Sequence, residues 1–300
     1  MGIIINTNVD SLKVQRNLNN ATAQASLAME RLTTGLRINN AGDDAAGLVI
    51  SKGIETQQRG SEVAIKNAQN GINMLQTAEG NLAQMAEHLL AIHDLTLQAM
   101  NGGYGVTEVQ ALEDEALSRA QEIDRIANSA MFNEFKLFDK TIDATDPRSD
   151  LLLQIGTNSD KDTNTITITK VFYNAELSTL TGGTISSTGP NQLAFVDKSG
   201  ADPAIQDRAS FEALLDNVKV GIKEISARRG VIGASSIRLN AAVDNLTIQN
   251  ENLSAANSRI KDADIAKESS NYTNKTILQQ ASASLLVQAN QAPSIALTLI

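Results

Sequence analysis

The apolar positions late in the chain keep a seven-residue beat: Val218, Ile225, Ile232, Leu239, Leu246, Leu253 and Ile260. Ile222 and Val243 take a companion position four residues on. Sustained over 43 residues, this predicts a heptad seam on one long helix, about 65 Å in length at 1.5 Å per residue. Other companion positions hold Arg229, Ser236, Asn250 and Asn257, polar residues of the kind that fix register at some cost in stability. Gly230 and Gly233 mark the expected place for a bend or break.

Matching stripes run through the N-terminal arm. Val14, Leu18, Ala21, Ala25, Ala28 and Leu32 step by three or four, and Ile65, Ala68, Ile72, Leu75, Ala78, Leu82, Met85, Leu89 and Ile92 make a second, longer helix that Gly102-Gly103 ends. A third helix is expected to open at a capping box, Thr107 with Gln110, and to bury Val109, Leu112, Ala116, Ala120, Ile123 and Ala127. The rings of Phe132, Phe135 and Phe138 that follow are expected to lock a turn onto the bundle.

Between residues 141 and 210 the period changes. Leu151 to Ile155 and Thr165 to Thr169 alternate and are β-branched around a polar run, which predicts a hairpin near 151–169. A second strand pair is expected between Val171-Phe172-Tyr173 and Leu193-Ala194-Phe195-Val196, joined by the Gly/Ser/Thr-rich stretch from Thr181 to Pro190. Such an insert is too short for a core of its own unless it packs on the helices.

Composition sharpens this picture. The 300 residues are 42% hydrophobic but only 3% aromatic, so the core is aliphatic and alanine-rich, as helix-on-helix packing prefers. All four prolines, Pro147, Pro190, Pro203 and Pro293, leave residues 1–146 and 204–292 free of helix breakers. The fold class is therefore mainly α: a long coiled-coil-like bundle built from both chain ends, with a small β-hairpin region and a short variable β/loop insert. Neither Asn17 to Met29 nor Thr276 to Ile300 carries a charged side chain. Uncharged amphipathic helices are marginal alone in water. These two are expected to bury against each other and against further copies, through Val14, Leu18, Ala21, Ala25 and Leu32 at one end and Ile277, Leu278, Ala281 and Leu285 at the other.

Charge and reactive groups exclude several functions. With net charge -9 the chain repels phosphate backbones, so no nucleic acid is expected as a partner. No cysteine means no disulfide, thiolate nucleophile or cysteine zinc site. His88 and His93 lie about 140° apart on one helix, which does not suit a shared metal. Asp43 and Asp44 lack the further oxygen ligands of a calcium loop and read as helix caps. No cofactor, metal or catalytic group is expected. Membrane insertion is not expected either, since no stretch of about 20 apolar residues occurs. The opening Met1-Gly2-Ile3-Ile4-Ile5-Asn6 does not have the form of a cleavable secretory signal. Sequons at Asn20, Asn245, Asn252, Asn271 and Asn274 fall mostly on helices. The hydroxyls of Thr181, Thr184, Ser186, Ser187 and Thr188 are better placed for surface modification.

The segment from Thr33-Thr34-Gly35-Leu36-Arg37 through Ala41-Gly42-Asp43-Asp44-Ala45-Ala46-Gly47-Leu48 resembles the N-terminal region of bacterial flagellins. So do Ile4-Ile5-Asn6-Thr7-Asn8 and Asn67-Ala68-Gln69-Asn70-Gly71-Ile72. At the other end Asn257 to Asp264 and Ile277-Leu278-Gln279-Gln280-Ala281 through Pro293 are similar to the flagellin C-terminus. The likeness covers roughly residues 1–170 and 205–300. It implies a homopolymeric filament subunit, with an inner terminal domain of residues 1–43 and 260–300, a helical rod of 44–170 and 205–259, and a surface insert of 171–204. It further implies type III export without signal cleavage, an extracellular location, and a secretion chaperone, a cap protein and hook–filament junction proteins as partners. The junction protein is the nearest rival reading, but its C-terminus is expected to lack the Leu278 to Pro293 run. A cytoplasmic coiled-coil scaffold explains the heptads alone, and an enzymatic insert lacks its zinc motif.

One departure stands out. Family members sensed by the flagellin-detecting Toll-like receptor present a helical Gln-Arg-(Ile/Val)-Arg-Glu-Leu. Here Leu89 is followed by Leu90-Ala91-Ile92-His93-Asp94-Leu95, without either arginine fork. Glu115 and Arg238 on neighbouring helices do not replace them, so weak sensing is expected.

Overall fold

The computed structural model describes residues 8–183, 185–188, 192–197 and 204–297. It is mainly helical: α1 (Val9–Thr34), α2 (Ala45–Ala99), α3 (Val106–Ser129), one-turn α4 (Lys161–Asn164) and α5 (Leu177–Leu180), α6 (Arg208–Lys261) and α7 (Ile265–Leu297). The strands are short and pair only as antiparallel two-stranded ribbons: β1 (Met131–Phe132) with β2 (Phe135–Lys136), β3 (Leu151–Gln154) with β4 (Thr165–Ile168), and β5 (Val196–Asp197) with β6 (Ala204–Ile205). Two compact units divide the chain, Met1–Arg59 with Asn250–Ile300, and Gly60–Gln249.

In the first unit, α1 and α7 lie side by side and antiparallel, since Asn8 reaches Ala289 while Arg31 reaches Glu268. Asn8 caps α1 by accepting from the Ser11 N–H, and Gly35 ends it with φ 71°, its N–H donating to the Arg31 carbonyl. That left-handed conformation is glycine's own. The chain then bridges to the start of α7: Leu36 pairs with Asp262, the Arg37 N–H donates to the Lys261 carbonyl at 2.7 Å, and Ala263 donates back to Gly35 at 2.9 Å.

The second unit has one apolar core. The α2 stripe of Ala68, Leu75, Ala78, Leu82, Met85, Leu89 and Ile92 is buried with Val109, Ala116, Ala120, Ile123 and Ala127 of α3, and with Val218, Ile225, Ile232 and Leu239 of α6. The predicted hairpin forms as β3 and β4, with Leu151 opposite Ile168 and Gln154 opposite Thr165. It packs on α2 where the helix has no side chain: a Cβ on Gly71 would stand 2.4 Å from Leu153 Cδ1, and one on Gly60 2.9 Å from Thr157 Cγ2.

Five local expectations change. The buried companions on α6 are Gly221, Arg228 and Ser235, three residues on from the seam, whereas Arg229, four on, is exposed and pairs with Glu79 at 2.8 Å. Small and polar residues at those positions hid them from a hydrophobic count. Gly230 and Gly233 do not interrupt α6. No atom lies within 4 Å of a Cβ placed on either, and burial of Ile232 and Leu239 nearby outweighs the roughly 1 kcal/mol each glycine costs. The α3 cap is Gly105, with no side-chain bond, so the Thr107–Gln110 box does not form. The helix starts at Val106, which moves Thr107 inside its first turn. The strand pair expected between residues 171–173 and 193–196 does not form: Val196 pairs with Ile205 of β6 instead, and the Phe195 and Val196 N–H groups both donate to the Glu113 carboxylate at 2.7 Å. Of the three rings, only Phe138 is fully buried. Phe135 is exposed beside a turn whose Asn133 and Glu134 have positive φ.

Candidate assembly surface

Ala21, Ala25 and Ala28 of α1 are buried, with Val14, Leu18 and Leu32 half-buried beside them. Three small side chains let the α7 backbone come close, and polar pairs then fix the register. Asn8 Nδ2 donates to the Ala289 carbonyl at 2.8 Å, Ser11 Oγ donates to Asn290 Oδ1 at 2.7 Å, and Arg31 Nη1 meets Glu268 Oε1 at 3.2 Å. The ion pair is largely buried, so its geometry specifies alignment more than it adds stability.

The α7 face turned to α1 is built from Glu268, Asn271, Tyr272, Lys275, Thr276, Gln279 and Ser282, all buried or half-buried. Leu286 and Ala289 continue this face and are half-buried too, whereas the other described apolar side chains of α7 point elsewhere. Ile277 is 57% exposed, Leu278 51%, Leu285 54% and Val287 60%, and Ala281 is exposed as well. On α1, Val9, Leu12 and Met29 are also exposed. Of the terminal residues singled out from sequence, the structure therefore joins the α1 set to α7 and leaves the α7 set exposed in a single chain, although Leu278 also lines a groove with Asn17, Asn20, Ala21 and Gln24 of α1. Fully burying one such aliphatic side chain is worth about 1.5–3 kcal/mol.

The loop between α1 and α2 holds its shape through two carboxylates. Asp43 Oδ2 accepts from the N–H groups of Asn40 at 3.0 Å and Asn39 at 3.1 Å, and these backbone bonds hold its carboxyl below the ordinary aspartate range. Asp44 Oδ1 accepts from the Gly47 N–H at 2.9 Å and caps α2. A Cβ on Gly47 would fall 2.5 Å from Asp44 Oδ2 and 2.8 Å from Ile38 Cδ1, so a larger residue there would force the capping carboxylate and the buried Ile38 to shift. Ser51 and Asn257 close the same region at 2.8 Å.

On α2, Leu89 and Ile92 are buried, Leu95 nearly so, and Ala91 and His93 half-buried, while Leu90 and Asp94 are exposed. His93 Nδ1 lies 3.3 Å from Asp94. Glu115 pairs with Arg119 at 2.8 Å, and Arg238 is exposed. Among the described residues no group of three or more His, Cys, Asp or Glu is arranged to hold a metal, and no helix is long and apolar enough to cross a membrane.

The segment after β4 is strapped to the helices by groups that periodicity missed. Asp124 accepts from the Leu177 N–H at 2.7 Å and from the Ser187 hydroxyl. Burial pushes the Asp124 carboxyl up, against those bonds. Arg228, 1% exposed, donates to the carbonyls of Tyr173 at 3.2 Å and Asn174 at 3.0 Å. The signal was a charged residue in register with an apolar stripe: Glu113 between Val109 and Ala116, Asp124 beside Ile123, Arg228 three on from Ile225. Of the hydroxyls noted for modification, Thr181 and Ser187 are buried, Ser186 is half-buried and Thr188 is exposed, while Thr184 lies outside the described residues.

Comparison with known proteins matches residues 5–143 to the family model of the bacterial flagellin N-terminal helical region and residues 215–300 to that of the C-terminal helical region. The chain is 38% identical over 302 residues to a flagellin of Bacillus subtilis (strain 168), covering 99% of both chains. To a flagellin of Halalkalibacterium halodurans it is 36% identical over 298 residues, covering 99% of this chain and 100% of the relative. A solved structure described as a flagellar hook-associated protein of Vibrio parahaemolyticus superposes with TM-score 0.57 at 16% identity, covering 73% of this chain and 100% of that one, a likeness of fold alone.

Proposed function

The chain belongs to the bacterial flagellins, structural subunits of the flagellar filament and not enzymes, and on that premise we propose how its ends carry out assembly. Residues 1–43 and 260–300 pair as an inner layer, residues 44–170 and 205–259 make the surrounding rod, and 171–204 form the outer surface. Copies join through α7 side chains that α1 leaves open: Ile277, Leu278, Ala281 and Leu285. The exposure of these four beside an α1 contact whose register is fixed by polar pairs is the observation that supports the reading. A surface that meets a different surface on the next copy produces an open helical polymer rather than a closed ring.

The family premise extends the proposal to export through the type III apparatus, to a secretion chaperone on the C-terminal segment, to cap and hook–filament junction partners, and to an extracellular filament. The terminal helices present their apolar faces only after export, when further copies cover them. Deleting residues 276–300 tests the mechanism. The truncated chain is expected to stay helical and soluble and to form no filaments by electron microscopy. Filaments from that chain would refute the role given to α7.

We also propose that the Toll-like receptor that detects flagellins senses this chain weakly. A guanidinium presents a rigid fork of donors to a partner carboxylate, and this stretch of α2 offers exposed Leu90 and Asp94 and half-buried Ala91 and His93 instead.

A further inference from the structure

The chain contains two Asn-Gly pairs, Asn70-Gly71 and Asn101-Gly102, and the fold treats them in opposite ways. Both asparagines are exposed. Asn70 sits inside α2, where the Gly71 N–H belongs to the helical hydrogen-bond ladder and the backbone is held in the α conformation. Asn101 lies two residues past the end of α2, in the turn before α3. There the Asn101 N–H donates to the Gln98 carbonyl at 3.1 Å and its own carbonyl accepts from the Tyr104 N–H at 3.3 Å. The Gly102 N–H and the Asn101 side-chain amide enter no hydrogen bond in this turn. Nothing lies within 4 Å of a Cβ placed on Gly102, so the turn is open on that side.

We propose that Asn101 is a site of spontaneous conversion to aspartate and isoaspartate, set by the free Gly102 N–H in the α2–α3 turn. The Gly102 nitrogen loses its proton and attacks the Asn101 side-chain carbonyl carbon. A new N–C bond closes a five-membered succinimide while the C–N bond to the side-chain amide breaks and ammonia leaves. Water then opens the ring at either carbonyl, so the net change is asparagine plus water to aspartate or isoaspartate plus ammonia, with no redox step. Glycine at the following position removes the Cβ that would hinder ring closure. The same attack at Asn70 first requires α2 to open locally, which suppresses it.

The product adds one negative charge, and in the isoaspartyl form one extra backbone carbon, to the turn that returns α3 to the shared core. The site borders a cavity of about 180 Å³ that Arg208 also lines. Arg208 already pairs with Glu212 at 3.0 Å, so the new carboxylate has a cation near it without a vacant partner waiting.

The test is peptide mapping by mass spectrometry of the full-length protein aged at neutral pH, with an isoaspartyl methyltransferase to label the rearranged product. Local opening of a mid-helix amide costs more than about 1.4 kcal/mol, so conversion at Asn101 is expected to exceed that at Asn70 by roughly tenfold or more. Asn101→Gln should abolish the label at this site and leave Asn70 unchanged, and Gly102→Ala should slow it. Equal rates at the two asparagines would overturn the proposal. So would an intact Asn101 after a time that fully converts a free peptide spanning residues 96–108.

Discussion

The guanidinium carbon of Arg228 lies 3.5 Å from the centre of the Tyr173 ring, with the Tyr173 hydroxyl bonded to Glu224 and Glu224 paired to Arg228 at 3.2 Å. One buried arginine on α6 thus holds the ring, the backbone carbonyls of residues 173 and 174, and a carboxylate one turn away. The cation over the ring face adds to the hydrogen bonds. This cluster ties the segment after β4 to the helical core.

Replacing Arg228 by alanine should loosen that segment before it unfolds the helices. Removing one partner of a fully buried pair costs about 3–5 kcal/mol. Since 36% of the Glu224 side chain is exposed, a loss of about 2–3 kcal/mol is expected here. Urea denaturation measures the loss. Proteolysis near residues 171–180 should speed up in the variant, and unchanged cleavage would argue against the strap.

Acid should weaken the same cluster. Burial pushes Glu224 up, but hydrogen bonds from Tyr173 and Arg228 outweigh it and hold the carboxyl below the ordinary glutamate range. A depressed folded value means stability that is present above the unfolded value and lost as pH falls through the folded one. Asp124 has the opposite sign: burial raises it, so its ionisation penalty is full above its folded value and relieved as pH falls. Glu224→Gln should flatten the acid side of the stability curve, and Asp124→Asn should steepen it. Of the 3 tyrosines, Tyr173 is raised by burial and by its bond to Glu224. Spectrophotometric titration should show one phenol ionising late, and Glu224→Gln should bring it earlier.

Gly71→Ala should disturb the β3–β4 hairpin although alanine favours the helix. The helical gain is about 1 kcal/mol, and overpacking against Leu153 costs about 1–3 kcal/mol. A small net loss is expected, with faster amide exchange at Leu153 and Ile166, which face each other in the ribbon. Unchanged exchange with higher stability would mean that Leu153 moves aside freely.

Restoring the charged ridge of α2 should raise immune sensing. The double variant Ala91→Arg with His93→Arg is expected to give a clearly stronger response from receptor reporter cells than the unaltered protein. Both sites are half-buried at the rim of the helix, so the long side chains can extend into solvent. An equal response from both proteins would place the deficit elsewhere.

The long helices were legible because their stripes of Val, Ile, Leu and Ala repeat at a helical spacing over many turns. The α1–α7 pairing was legible because both stretches lack charge. Within the α1–α7 contact, however, much of the α7 face is polar, with Glu268, Tyr272, Thr276 and Gln279, and Ile277, Leu278, Leu285 and Val287 are exposed. A polar contact face cannot be told from a solvated one by composition, since both carry the same residue types.

The residue pattern alone was enough for the mainly α class, the hairpin near 151–169, the helix cap at Asp44 and the resemblance to the family to which the chain belongs. Each of these depends on local spacing or on contiguous motifs. Three-dimensional packing was needed to show that Glu113 and Arg228 are buried and Asp124 half-buried, that Gly60 and Gly71 are the floor of the hairpin, and that Gly102 keeps a free N–H while Gly71 does not. These outcomes rest on which distant segment supplies the hydrogen-bond partner or fills the space. A buried charge is stable only beside such a partner, and periodicity carries no record of where that partner lies along the chain.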